Sequence, residues 1–209
     1  MPDHLILIRA GTTDYDLQER IRGTLDMPLC AAGIAEAERA GAHLFARPPV
    51  ALYAADATCA AETARLVGRA CGLRPRRVTG LANLDMGLWQ GMLVDDIRRK
   101  QPRLHRQWQD NPWAVAPPQG ELLEDACMRV EGALEKILRR HATGSIALVV
   151  PHPIDRVVRW IVSGQSMGDL WSPPTADGLL AELPVAAQWQ SRRGAEGGRA
   201  SRLRGAAAG

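Results

Sequence analysis

The chain of 209 residues and 22.7 kDa has the length of one generous domain, and its 46% hydrophobic and 23% charged residues are the balance of a globular protein. That balance excludes a disordered chain, a collagen and a disulfide-stapled miniprotein, and the longest apolar runs, such as Val50–Ala55, are too short to cross a bilayer. The net charge of +3 divides into +4 on residues 190–209 and −1 on the remainder, which argues against a basic body that binds nucleic acid.

His4–Arg9 holds a continuous apolar run, Leu5 to Ile8, and predicts a buried parallel strand ended by Ala10-Gly11-Thr12-Thr13. A helix is expected over Ala32–Ala46, with Ile34, Ala37, Gly41, Leu44 and Phe45 on its inner face and Pro48-Pro49 as its stop. Val50–Ala54 predicts a second strand. Asp56 is placed to N-cap a helix through Gly68 that turns Ala60, Thr63, Ala64 and Val67 inward. Val78 marks a short third strand, Leu81–Gly91 a loop, and Val94–Arg99 a helix. Gln107–Gln119, with two tryptophans and three prolines, reads as an irregular excursion. Glu121–His141 is the clearest helix, with Leu123, Ala126, Val130, Leu134 and Ile137 at helical spacing. Ser145–Val150 predicts another buried strand, Ile154–Val162 a helix, and Leu179–Leu183 a last strand. From Gln190 five glycines and no apolar period predict disorder, so the domain is expected to occupy residues 1–189 and a tail residues 190–209.

Strands alternating with helices predict a three-layer α/β/α sandwich with a mostly parallel sheet. Ligands of such sheets sit beyond the carboxyl ends of the strands, which places Arg9–Thr13, Ala55–Cys59 and Pro151–Pro153 around one crevice. Cys30, Cys59, Cys71 and Cys127 show no CxxC spacing, and Met-Pro-Asp-His begins the chain without a basic and apolar leader. Free thiols in a reducing cytoplasm are therefore expected. His4, His43, His105 and His141 lack metal-ligand spacing and are read as surface residues, and neither a metal nor a cofactor is expected.

Six segments, in order, carry a resemblance to a known family. LILIRAGTTDYD resembles a strand followed by Arg-His-Gly-x-Thr, and RIRGTLDMPLCAAG a G-x-x-D-x-P-L…G stretch. ALYAADATCAAETA resembles Tyr-Ser-Ser-x-x-x-Arg-Ala-x-x-Thr-Ala, and LANLDMGLWQG resembles Leu-x-Glu-x-x-x-Gly-x-Trp-Glu-Gly. PPQGELLEDACMRV resembles a Gly-Glu-Ser segment with a following Arg-Val, and ALVVPHPIDRVVRW a strand ending in Val-x-His-Gly. Together they are similar to the histidine phosphatase superfamily, also called phosphoglycerate mutase-like, across residues 4–163.

The resemblance implies a phosphohistidine mechanism. A histidine after the first arginine attacks phosphorus, two arginines and a second histidine hold the phosphoryl oxygens, and a glutamate protonates the leaving oxygen. Here the nucleophile position is Ala10, the second arginine position is Cys59 and the proton-donor position is Asn83. Asp16 stands where an asparagine is usual, and Pro153 follows the second histidine, where its missing N–H replaces a glycine's. Arg9 and His152 remain. Losing a nucleophile alone commonly costs on the order of 10⁶ in kcat. The expectation is a member that has lost phosphohistidine chemistry and keeps a weak site for phosphate, another inorganic anion or a small phosphorylated ligand, formed by Arg9, Thr13, Asp16, Arg22, Cys59 and His152. Its role is then binding, regulation or assembly with an unidentified protein partner. The alternative is a working phosphomonoesterase or mutase with altered catalytic groups. A third reading gives the arginine tail RNA or an acidic partner, against the preferred one of a solvated, disordered end.

Several of these residues carry a plain reading as well. Arg22 either reaches the anion in place of the lost arginine or, by preference, is solvated. Cys59 is either a thiol activated beside His152 at a helix N-terminus or, by preference, a small residue left behind. Trp89, Trp108 and Trp113 either line a ligand crevice or, by preference, pack the rim.

Overall fold

Three apolar runs align as parallel strands because each is buried on both faces and needs helices above and below it. The structure is a computed structural model that describes residues 2, 4–168, 170 and 179–185. Its sheet has five strands: β1 (His4–Arg9), β2 (Ala51–Ala55), β3 (Arg76–Val78), β4 (Ser145–Val150) and β5 (Leu180–Pro184), in the order β3-β2-β4-β1-β5. All neighbours are parallel except β5, which runs antiparallel to β1 and forms the edge. The helices are α1 (Asp14–Leu17), α2 (Ala31–Phe45), α3 (Thr58–Cys71), α4 (Val94–Lys100), α5 (Pro102–Asp110), α6 (Leu123–Arg139) and α7 (Ile154–Ser163). The pair α2 and α3 packs together, with α3 on β2 and β4, while α6 packs against α7, which covers β1 and β5. The expected α/β architecture with a mostly parallel sheet is what the chain adopts. The tail, residues 190–209, lies outside the described residues. No helix among the described residues is long and apolar enough to cross a membrane.

Local details depart from expectation for identifiable reasons. The inner face of α2 is Gly33, Glu36, Ala37, Ala40, Gly41 and Leu44, and Ile34 and Phe45 are exposed. Small residues win that face because α3 lies so close that a Cβ on Gly41 would stand 3.0 Å from the Cβ of Ala70. Asp56 does not cap α3. Ala57 is the N-cap residue and offers no side-chain cap, and Asp26 reaches in from another loop, accepting from Thr58 N–H at 2.7 Å and Thr58 Oγ1–H at 2.8 Å. Those two bonds hold the Asp26 carboxyl below its ordinary pKa. Asp56 instead pairs with Arg77 at 3.1 Å. The helix α5 occupies the start of the expected excursion. Its prolyl first residue suits a helix N-terminus, and its inner face buries His105 and Trp108. His105 is thus no surface residue. Nor is His141, which is half-buried with its Nε2 2.9 Å from the Tyr53 hydroxyl.

The register positions the crevice. Arg9 lies opposite Val150 and Ala54 opposite Val149, so β1, β2 and β4 end at one level. The chain leaving β1 is held by Ala10 N–H to Val150 O at 2.7 Å, Gly11 N–H to Thr63 Oγ1 at 2.9 Å and Cys30 N–H to Thr12 O at 3.0 Å. Gly33 makes this possible: a Cβ there would run into the backbone of Thr12, and one on Gly11 into the backbone of Gly33. Gly33→Ala is expected to lower stability by about 1–3 kcal/mol through overpacking. A urea denaturation midpoint reads that loss, and an unchanged midpoint would show that the loop yields freely.

Candidate functional site

Four segments meet at the carboxyl ends of the strands, and their side chains are mutually engaged. Thr13 caps α1 and is itself held by Asp16. The Thr13 N–H and hydroxyl both donate to Asp16 Oδ2, each at 2.7 Å. The same oxygen accepts from Arg22 Nη1 at 3.1 Å. Beside it, the Thr12 N–H and hydroxyl donate to Glu36 at 2.9 Å. Glu36 was not among the residues expected here. It sits on the inner face of α2, where its neighbours are small and the β1 loop supplies the donors.

Arg22 is therefore buried, with 7% exposure, and not solvated as preferred from sequence. Its ion pair with Asp16, one short loop away on α1, offsets part of the cost of leaving water. Arg9 is also buried. Burial lowers its pKa, while Asp155, Glu36 and Asp16 act in the opposite sense and Arg159 with the burial. A guanidinium stays protonated under these influences.

His152, at the start of the turn between β4 and α7, has Nδ1 2.9 Å from Asp155 Oδ1. Burial alone would raise the Asp155 pKa, but the His152 hydrogen bond and the charges of His152, Arg9 and Arg156 outweigh it and hold it below the ordinary value. Because an ionised carboxylate only accepts, the proton of a neutral His152 is assigned to Nδ1. Nε2 is then an acceptor, buried and without a partner among the described residues.

Asn83 is oriented by the same reasoning. Its Nδ2 lies 2.7 Å from Gly23 O, a carbonyl that can only accept, so the amide nitrogen faces Gly23. Its Oδ1 is buried and unpartnered. The segment carrying it is bolted by Arg129, which donates to Ala82 O at 2.7 Å, Asn83 O at 2.9 Å and Gly80 O at 3.2 Å. Arg129 is held in turn by Glu121. These two residues lie in PPQGELLEDACMRV, where their spacing alone gave no sign of the partner loop.

Cys59 lies in the first turn of α3, fully buried beside the crevice. Burial pushes its thiol pKa up, against the charge of Arg22, so the surroundings do not make it the activated nucleophile considered above. Ala10 is buried at the end of β1 and presents only a methyl group. A cavity of about 40 Å³ opens here, lined by Arg22, Gly23, Asp56, Ala57, Asn83 and Pro151 among others. A larger hollow of about 390 Å³ lies between α2 and α3 around Phe45 and Leu66, away from every residue of this site. Trp89 is core, meeting Trp108 edge-on at 6.4 Å, and Trp113 packs on Trp160 at 5.2 Å. Among the described residues no three His, Cys, Asp or Glu side chains are grouped to hold a metal.

Residues 5–185 match the family described as histidine phosphatase superfamily (branch 1). Phosphoserine phosphatase 1 of Hydrogenobacter thermophilus is 28% identical over 169 residues, 80% of each chain. Glucosyl-3-phosphoglycerate phosphatase of Mycobacterium tuberculosis is 33% identical over 126 residues, which is 60% of this chain and 56% of that protein. The solved structure of YhfR from Bacillus stearothermophilus superposes with a TM-score of 0.73 at 29% identity, covering 83% of this chain and 86% of that one.

Two measurements follow from the site's electrostatics. A carboxyl held low in the native state stabilises the fold above the ordinary carboxylate pKa of about 3.9, and that contribution is lost as pH falls through the lowered native value. Asp155→Asn is therefore expected to be less stable than the native chain at pH 7, and the difference should narrow below about pH 4, read as denaturation midpoints across a pH series. Iodoacetamide at pH 7.5, followed by peptide mass spectrometry, should label half-buried Cys30 before Cys59 or Cys127. Cys127 is further protected by a pKa pushed up to about 12 through burial. Rapid labelling of Cys59 would contradict its protected setting.

Proposed function

Because the chain belongs to the histidine phosphatase superfamily, we propose that its crevice binds phosphate or a phosphate monoester and forms no phosphohistidine at position 10. The observation that carries this reading is that buried Arg9 and His152 both act on the same Asp155 carboxylate, which holds the His152 ring with its Nε2 without a partner among the described residues. A fixed guanidinium and an imidazole able to take up a proton at Nε2 suit a phosphoryl oxygen. Ala10 has no lone pair to attack phosphorus, and neither Asn83 nor a buried neutral Cys59 supplies the missing acid or cation.

The comparisons favour a second reading over simple loss of the reaction. Relatives bear the names of phosphatases, and on that reading this chain is a phosphomonoesterase with altered catalytic groups. The residue available for it is His152. Neutral, with its proton on Nδ1, it would take a proton from water as the water oxygen bonds to phosphorus and the ester P–O bond breaks. The proton on Nε2 would then pass to the leaving oxygen, and no covalent intermediate would form.

One set of assays separates the two. Millimolar phosphate or vanadate is expected to raise the melting temperature, and Arg9→Gln to abolish that rise. No acid-labile phosphoryl group should be trapped on the β1 loop. Hydrolysis of p-nitrophenyl phosphate and phosphoserine at background would support loss of the reaction. Turnover that disappears in His152→Ala would establish the second reading. Absence of any anion effect on stability would overturn both.

A further inference from the structure

Positions 22, 59 and 83 differ from the family signature or stand out beside it; Arg22 and Asn83 line one small cavity, and Cys59 lies close enough to Arg22 for its charge to act on the thiol. Resting on the phosphate-binding reading above, we infer that Arg22 has replaced the guanidinium lost at position 59, and that Asn83 makes the site select ligands that carry a hydrogen-bond donor beside their anionic oxygens.

The case for Arg22 is geometric. The side chain is almost fully buried, lines the cavity and sits near enough to Cys59 for its charge to act on the thiol. Its only side-chain hydrogen bond among the described residues is Nη1 to Asp16 Oδ2. A guanidinium has five N–H donors in a fixed fork, and one bond to one carboxylate oxygen leaves the others for an incoming acceptor. A cation at position 22 and a neutral side chain at position 59 keep the positive charge in the crevice while moving its origin from α3 to the loop after α1.

The case for Asn83 is one of hydrogen-bond sense. One amide N–H is given to Gly23 O, and the atom with no partner among the described residues is the carbonyl oxygen, buried in a residue only 4% exposed. An acid at this position would donate; Asn83 Oδ1 can only accept. A buried acceptor left unmatched is costly, so a ligand that supplies an O–H is favoured over one that does not. Hydrogen phosphate has such a group, its own P–OH. A fully ionised phosphate monoester lacks it, and must bring an alcohol on a neighbouring carbon. The shared chemistry is a donor adjacent to phosphoryl oxyanions. About 40 Å³ admits a group of this size and little more.

Negative charge in the site sets the affinity. Asp16 shares Arg22 with the ligand, and Asp155 and Glu36 also act on Arg9. Asp56 lines the cavity too, with its carboxylate engaged by Arg77. Binding is therefore weak in the native chain and rises when Asp16 is neutralised.

Phosphate and sulfate provide the test at pH 8.5, where hydrogen phosphate and sulfate share shape and charge and differ by one proton. The full chain is titrated with each by calorimetry at constant ionic strength. Phosphate is expected to bind about tenfold more tightly than sulfate, the worth of one buried hydrogen bond. Asn83→Leu should bring phosphate down to the sulfate value. Arg22→Gln should weaken both anions at least tenfold, and Asp16→Asn should tighten both. The double change Arg22→Gln with Asp16→Asn, checked by circular dichroism, guards against misfolding from an unpaired acid and should still bind weakly. Glycerol phosphate bound more tightly than propyl phosphate identifies an ester hydroxyl as the donor source, and equal affinity for those two identifies the P–OH. Equal affinity for phosphate and sulfate overturns the role of Asn83. Phosphate binding that Arg9→Gln abolishes but Arg22→Gln leaves unchanged overturns the role of Arg22 and leaves the phosphate site standing. Binding of neither anion removes the underlying reading along with this one.

Discussion

Two buried arginines, Arg9 at the end of β1 and Arg22 in the loop after α1, impose the arrangement around them. A guanidinium out of water needs compensating charge and acceptors, and the chain provides Asp155, Glu36 and Asp16 from three different helices. Each acid is then tied to a further group. Glu36 takes both donors of Thr12, Asp16 takes both donors of Thr13, and Asp155 takes the ring of His152. The β1 loop is thus fixed from its own backbone outward, and the close passage of Gly11 over Gly33 leaves it no room to relax.

This network leaves few polar atoms unused, and two of the exceptions share a character. His152 Nε2, in the neutral ring, and Asn83 Oδ1 are both acceptors without partners among the described residues. A site that performs acid catalysis on a leaving oxygen needs a donor at such a place. What stands here instead demands one. On the phosphate-binding reading proposed above, an acceptor at position 83 bears on what the crevice recognises as much as on what it catalyses, since protonation of a leaving group and recognition of a hydroxyl call for opposite hydrogen-bond senses.

Membership of the family and the chemistry of the site are separate matters. The fold rests on apolar strands, close helix packing and turn geometry, and it is shared with the solved structure of YhfR. The reaction rests on a handful of side chains at the strand ends. The two are separable here because Ala10 and Cys59 are both buried at the strand ends while the register of β1 on β4 runs unbroken to Arg9. The reading of a lost reaction and that of an altered one both accept this fold, and part only over what His152 can do alone.

The sequence by itself determined the strands, since Leu5–Ile8 and Ile146–Val150 are apolar on both faces and have no other stable place than the middle of a covered sheet. It determined the order of β1, β2 and β4 in the chain and the crevice at their carboxyl ends, and the identities at positions 9, 10, 59, 83 and 152. These are local patterns and offsets, readable along one dimension. Only the tertiary structure decided the pairings. That Arg22 would be buried against Asp16, that Asp26 rather than Asp56 would cap α3, and that Asn83 would spend its amide on Gly23 depended on which loops came to lie side by side. The same holds for α5, where a proline and two buried aromatic rings look like an irregular stretch until Trp108 meets Trp89. A charge or an amide can be satisfied by many neighbours, and the sequence does not say which will be near; an apolar run has one solution, burial.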